Sequence, residues 1–182
     1  MQMAARTLLR PLTVAGLLIL LVAVPFLGTQ AFWVEPDSLV VREHRLDLPS
    51  WPAALDGFRI AAVGDLHAGS PFVDQRKLEE VSRRVSAAQP DLIVWLGDYV
   101  IDSVVQGNFM EPEKVAAILS KASAPHGQIA VIGNHDRWLG AERVQKAFEM
   151  SGIPLLRFRS TTLSIRGVTI HVHGLDDFEL SP

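Results

Sequence analysis

Hydrophobic residues recur along this chain in three rhythms, each predicting a different kind of element. The first is unbroken. From Pro11 to Val34 no residue carries a charge, and the centre is the run Leu17-Leu18-Ile19-Leu20-Leu21-Val22-Ala23-Val24. About 20 apolar residues cross a bilayer as a helix, so residues 1–34 hold a segment long enough to do so. Arg6 and Arg10 precede the run, and Glu35 and Asp37 follow it. That bias keeps the amino terminus in the cytoplasm and sends the rest of the chain outward. Trp33 falls at the far end, where an indole suits the membrane interface. Two other readings compete with a permanent anchor. Thr29-Gln30-Ala31 would serve as the small-residue cleavage site of a secretory leader. A buried core helix would also be apolar, but it normally keeps a polar stripe that this run lacks.

Residues 35–56 read as a connector punctuated by Pro36, Pro49 and Pro52, with Ser38 to Leu48 as a candidate edge strand.

The second rhythm alternates short apolar strands with amphipathic helices. Phe58 to Val63 predicts a buried strand ending at Gly64-Asp65-Leu66-His67. Val73 to Ala88 sets Leu78, Val81 and Val85 at helical spacing, and Gln89-Pro90 ends that helix. Asp91 to Leu96 predicts a second strand ending at Gly97-Asp98, and Glu111 to Ser123 a helix with Val115, Ile118, Leu119 and Ala122 on its apolar side. Gln128 to Ile132 predicts a third strand ending at Gly133-Asn134-His135-Asp136, followed by a helix over Ala141 to Met150. Continuous apolar strands linked by helices imply a parallel sheet, hence an α/β class. The third rhythm is strict alternation: Thr161 to Arg166 and Val168 to His173 predict a hairpin turning near Gly167.

Composition narrows the classes. The 182 residues are 48% apolar and 20% charged, which excludes a disordered or fibrous chain. The net charge is −3, and all the acidic residues lie beyond residue 34, so no basic footprint for nucleic acid is present. The absence of cysteine removes disulfides, thiolate nucleophiles and Cys-ligated metal sites. No Gly-x-Ser-x-Gly elbow or glycine-rich phosphate loop occurs.

The chemistry lies in the strand endings. All three apolar strands run into glycine and then a metal-competent side chain: Asp65 with His67, Asp98, and Asn134 with His135. In open α/β sheets the ligand crevice lies outside the carboxyl ends of the strands, so these residues should converge. Their oxygen and nitrogen donors suit manganese, iron or zinc better than copper(I). A bridging carboxylate lets one crevice hold two such ions about 3.5–4 Å apart. If the chain stays extended, Asp65 and His67 point to the same side and clamp one ion. Asp98 alone would read as an ordinary turn aspartate.

Gly64-Asp65-Leu66-His67, Gly97-Asp98-Tyr99-Val100 and Gly133-Asn134-His135-Asp136 resemble, in order and spacing, the first three blocks of the calcineurin-like metallophosphoesterase superfamily. The resemblance covers roughly residues 38–180. The apolar start, Ala124-Pro125 and Gly174-Leu175-Asp176-Asp177 are similar to a bacterial membrane-associated branch acting on phosphodiester or pyrophosphate bonds. It implies a partial sandwich of mixed β-sheets flanked by helices over residues 57–182. It also implies two divalent ions, with Asp65 and His67 on the first, Asp98 bridging and Asn134 on the second. His135 would stabilise charge on the scissile phosphate or protonate the leaving oxygen, and Asp136 would orient His135 or its loop. The implied reaction is in-line attack on phosphorus by a hydroxide bridging the ions, without a covalent enzyme intermediate. The anchor suggests a lipid-linked phosphate or nucleotide-sugar lipid as substrate. The arginine bias puts the domain on the outer side of a bacterial cytoplasmic membrane, whereas a nucleotide-sugar substrate points to the inner face.

The same resemblance calls for later metal ligands, including a Gly-His-x-His block, that these 182 residues do not contain. His171-Val172-His173-Gly174 is no substitute, because its glycine follows the histidines, and both histidines fit one face of a strand. The expectation is therefore the amino-terminal portion of a longer hydrolase, with weak metal uptake and little turnover alone. The alternative is an inactive remnant acting as a membrane-tethered binding module. His44 and His126 lie in connectors, Arg83-Arg84 on a solvated helix face, and Trp138 either lines the substrate entrance or caps a helix.

Overall fold

A computed structural model of the chain describes residues 2–176; Asp177 of the Gly-Leu-Asp-Asp turn lies outside them. The chain divides after Val40 into two units. The first is helix α1 (Gln2–Thr29), a wider π-helical turn over Gln30–Val34, and the short α2 (Glu35–Asp37). Pro25 has no N–H to give the ladder, and Thr29 Oγ1 donates to the Pro25 carbonyl at 2.8 Å. Glu35 N–H reaches back to Gln30 O, the longer register of a π-turn. The span Thr13–Asp37 is long and apolar enough to cross a membrane.

Residues 38–48, which run across the division after Val40, form no strand. The expected edge strand is absent because no described strand pairs with this segment; an ion pair from Arg59 to Glu43 at 3.0 Å ties it down instead. The regular part starts at β1 (Ile60–Val63) and continues through α3 (Gln75–Ala87), β2 (Leu92–Trp95), α4 (Pro112–Leu119), β3 (Gln128–Ala130), α5 (Asn134–Met150), β4 (Arg159–Ile165) and β5 (Val168–Gly174). The three short strands form one parallel sheet in the order β1-β2-β3, with Val63 beside Trp95 and Trp95 beside Ala130. β4 and β5 form an antiparallel hairpin whose turn, Arg166-Gly167, has positive φ at both positions, as a two-residue turn of this kind requires.

The two sheets stack. Leu92 and Val94 share one face of β2 and, with Ile129, pack against Leu163 and Val172 of the hairpin around Leu156. Ile93 and Trp95 occupy the opposite face and are fully buried. The apolar rows read from the sequence are the buried rows of the helices: Leu78, Val81 and Val85 on α3, Val115, Ile118 and Leu119 on α4, Val144 and Phe148 on α5. Asp74 caps α3 by accepting the Lys77 N–H at 2.9 Å. β1 departs from expectation: it is an edge strand paired only with β2, and Ile60 is more than half exposed.

The departure that matters most is in α5. Its predicted start was Ala141, but the helix begins at Asn134 and is interrupted at Gly140, whose φ of 128° and ψ of 94° are open only to glycine. The residues expected in a loop after β3 therefore form the first turn of a helix.

Candidate active site

Backbone pairing continues past the ends of the strands and carries the functional residues with it. Leu96 N–H donates to Val63 O at 2.7 Å, Asp65 N–H to Gly97 O at 3.1 Å, and His67 N–H to Asp98 O at 2.8 Å. Val131 N–H joins the third strand to Trp95 O at 3.0 Å. Asp65, His67 and Asp98 all have positive φ, between 45° and 54°. The Asp65–His67 segment is thus not extended, as the clamp argument assumed, because each residue turns to keep pairing with the loop after β2. Aspartate and histidine are among the residues that tolerate this region.

Two glycines let those loops touch. A Cβ on Gly97 would lie 2.3 Å from Gly133 N, and a Cβ on Gly133 would lie 2.2 Å from Asp98 Oδ1. The loop after β2 and the start of α5 are therefore in backbone contact, closer than any side chain would permit.

Asp136 locks this junction. It is fully buried. Its Oδ2 accepts the N–H groups of Asp98 (2.7 Å) and Gly133 (3.1 Å), and its Oδ1 those of Tyr99 (2.9 Å) and Val100 (3.4 Å). Burial pushes this carboxyl up to about 6, against the pull of the same backbone donors. All four donors are backbone N–H groups, three in the loop after β2 and one at Gly133. The signal available in the sequence was an acidic residue three positions after a helix-starting glycine, the spacing of a capping box.

Asp98, with its side chain 13% exposed, accepts the His135 N–H through Oδ1 at 2.9 Å. Its Oδ2 faces His67 Nε2 at 4.0 Å, and Asp65 Oδ1 approaches the same nitrogen at 3.8 Å from a far more exposed position. These separations are too long for hydrogen bonds. They suit two donors sharing a cation, since ligand atoms each about 2.0–2.2 Å from one ion lie no more than about 4.4 Å apart. His67 Nδ1 is buried with no hydrogen-bond partner among the described residues, so the imidazole has donor capacity that the protein does not satisfy. His67, Asp98 and His135 each present a ligand atom within 4.8 Å of the others. The donor set fits a divalent cation. Asn134, the first residue of α5, is half-buried and directly precedes His135 in the chain.

The rings of His67 and His135 meet edge to face at 4.7 Å, and those of His135 and Trp138 at 4.6 Å. Trp138 does not cap a helix: it sits within α5 and is 63% exposed. Sequence reasoning missed the loop over residues 101–111, where Asn108 N–H donates to Gly69 O at 2.8 Å and a Cβ on Gly69 would strike Asn108 O. His171 and His173 lie on the exposed face of β5, with His173 Nδ1 2.6 Å from Ser160 Oγ, as expected of strand residues outside the site. Asp176 is buried in an ion pair with Arg157 at 3.0 Å.

The family model for the calcineurin-like phosphoesterases matches residues 58–179. Over 152 residues the chain is 31% identical to the uncharacterized metallophosphoesterase YkuE of Bacillus subtilis, covering 82% of this chain and 52% of that protein. Over 103 residues it is 37% identical to the UDP-2,3-diacylglucosamine pyrophosphatase LpxG of Chlamydia trachomatis, covering 57% of this chain and 30% of that protein. An uncharacterized metallophosphoesterase of Aquifex aeolicus is 27% identical over 144 residues, 79% of this chain and 51% of its own length. The chain thus spans about half the length, or less, of these curated relatives. No solved structure matches it. With ligand atoms from three strand-end blocks within 4.8 Å of one another and a family match across most of the second unit, the chain belongs to the calcineurin-like phosphoesterases.

Proposed function

We propose that this chain contributes the catalytic crevice of a metal-dependent phosphoester hydrolase held at a bacterial membrane by its apolar helix. The observation that carries the reading is the convergence of Asp65, His67 and Asp98 at the carboxyl ends of β1 and β2, with His67 Nε2 at 3.8 and 4.0 Å from two carboxylates. Asp65 and His67 would hold one divalent ion, Asp98 would bridge to a second, and Asn134 would serve that second ion. When bound, such ions polarise a phosphoryl oxygen and supply a nucleophile near neutral pH.

The protein's own part is placement and proton transfer. Asp136 fixes the backbone of Asp98, so the bridging carboxylate and the first turn of α5 move as one body. His135 lies beside the ligand group, and its ring meets those of His67 and Trp138 edge to face. An imidazole there can give a proton to the oxygen that leaves phosphorus.

The bond cleaved is a phosphodiester or a pyrophosphate. Similarity to a protein named as a UDP-2,3-diacylglucosamine pyrophosphatase supports a nucleotide-sugar lipid, and the apolar span would keep the crevice near such a substrate. The test is hydrolysis of bis(p-nitrophenyl) phosphate by the native-length protein in detergent, with and without Mn2+. Turnover that requires Mn2+ and is abolished by Asp98→Asn is expected; unchanged turnover in that variant would refute the assignment.

A further inference from the structure

We infer that Trp138 selects the leaving group of the substrate, favouring phosphoesters with a planar or apolar group on the leaving side. The inference rests on the phosphoesterase reading of the crevice. Three rings form a continuous row, His67 to His135 to Trp138, with centroids 4.7 and 4.6 Å apart and edge-to-face angles of 88° and 66°. The row starts at a side chain 27% exposed among the metal-competent groups and ends at an indole 63% exposed to solvent. The exposed indole at the end of that row offers a flat apolar face to a group entering beside His135.

Its position says what would. His135 is the group that would protonate the leaving oxygen, and Trp138 lies one helical turn along on the same side of α5. A substituent on that oxygen extends past His135 and meets the free face of the indole. A phenyl, a nucleobase-bearing sugar or an acylated sugar gains contact area there; a methyl group does not reach. The phosphoryl group on the other side of the scissile bond is untouched by Trp138, so the residue should discriminate on one side only. The chain breaks its helix directly afterwards, at Gly140, so the turn carrying His135 and Trp138 is a unit separate from the rest of α5.

The experiment measures binding, so it does not depend on turnover. The full chain in detergent is titrated, at saturating Mn2+, with phenylphosphonate and with methylphosphonate, for the wild type, Trp138→Phe and Trp138→Ala. Mn2+ affinity is measured separately for each. The wild type should prefer phenylphosphonate by about fivefold or more, the size of an ordinary aromatic contact. Trp138→Ala should abolish that preference while leaving methylphosphonate and Mn2+ affinities unchanged, and Trp138→Phe should retain most of it. A preference that survives in Trp138→Ala overturns the inference. So does an equal loss of both phosphonates and of Mn2+, which would make Trp138 a packing residue. If the wild type binds Mn2+ but neither phosphonate, the phosphoesterase reading fails and takes this inference with it.

Discussion

Replacing Gly133 with alanine tests whether the crevice depends on backbone contact between two loops. The position is conformationally ordinary, with φ −102° and ψ 177°, so alanine meets no backbone penalty there. The cost is steric: the new Cβ would lie 2.2 Å from Asp98 Oδ1, 2.5 Å from Asp98 N and 2.7 Å from Asp98 Cγ. Asp98 cannot retreat freely, because its N–H is held by Asp136 at 2.7 Å and its Oδ1 by the His135 N–H at 2.9 Å. Relief means parting the loop after β2 from α5. Overpacking of this kind costs about 1–3 kcal/mol. Losing one hydrogen bond to a carboxylate adds about 1.5–3 kcal/mol. The sum, about 2.5–6 kcal/mol, should lower the thermal midpoint of the full chain in detergent with EDTA by on the order of 10 °C. Gly152→Ala is the control: its φ is +80° and no atom lies within 4 Å of the added carbon, so only the left-handed backbone penalty of about 1–2 kcal/mol applies. A Gly133→Ala shift no larger than that of Gly152→Ala would refute the reasoning.

Asp136→Ala should cost about 3–6 kcal/mol by orphaning four N–H donors, two buried and two part-buried, and Asp136→Asn less, since one oxygen still serves one pair; equal melting temperatures for the two variants would contradict this. Gln128→Leu should destabilise by about 1–3 kcal/mol in thermal unfolding, because the buried Trp95 Nε1 donates to Gln128 Oε1 at 2.7 Å and would lose its acceptor. At the surface, hydrogen bonds from Arg143 hold Glu113 below its ordinary carboxylate range. Its contribution is therefore present above about pH 4.5 and lost as acid titrates it, so Arg143→Met should flatten the acid limb of a stability-against-pH curve.

Several parts of the molecule were legible in the sequence because one interaction decides each of them. Leu78, Val81 and Val85 announced α3 because a helix in contact with a core needs apolar residues at that spacing. The three Gly-Asp or Gly-Asn endings announced a crevice because strand ends in a parallel sheet point the same way. What was missed depends on partners distant in sequence. Asp136 was read as orienting His135 or its loop, but the N–H groups of residues 98–100 that it holds lie more than thirty positions away, and local pattern carries no record of those partners. The extended geometry expected for Asp65 and His67 failed for the same reason, since their positive φ values follow from hydrogen bonds to the loop after β2. The strand expected between Ser38 and Leu48 had suitable residues but no pairing neighbour among the described residues, and strand propensity without a pairing edge forms nothing.

The central claim is that Asp98 and His67 belong to one divalent-cation site, and Mn2+ uptake by the full chain in detergent, followed by the electron paramagnetic resonance of free Mn2+, tests it most directly. Saturable uptake, weakened at least about tenfold by Asp98→Asn and by His67→Ala, is the predicted result. The absence of saturable uptake, or uptake indifferent to both substitutions, would contradict it.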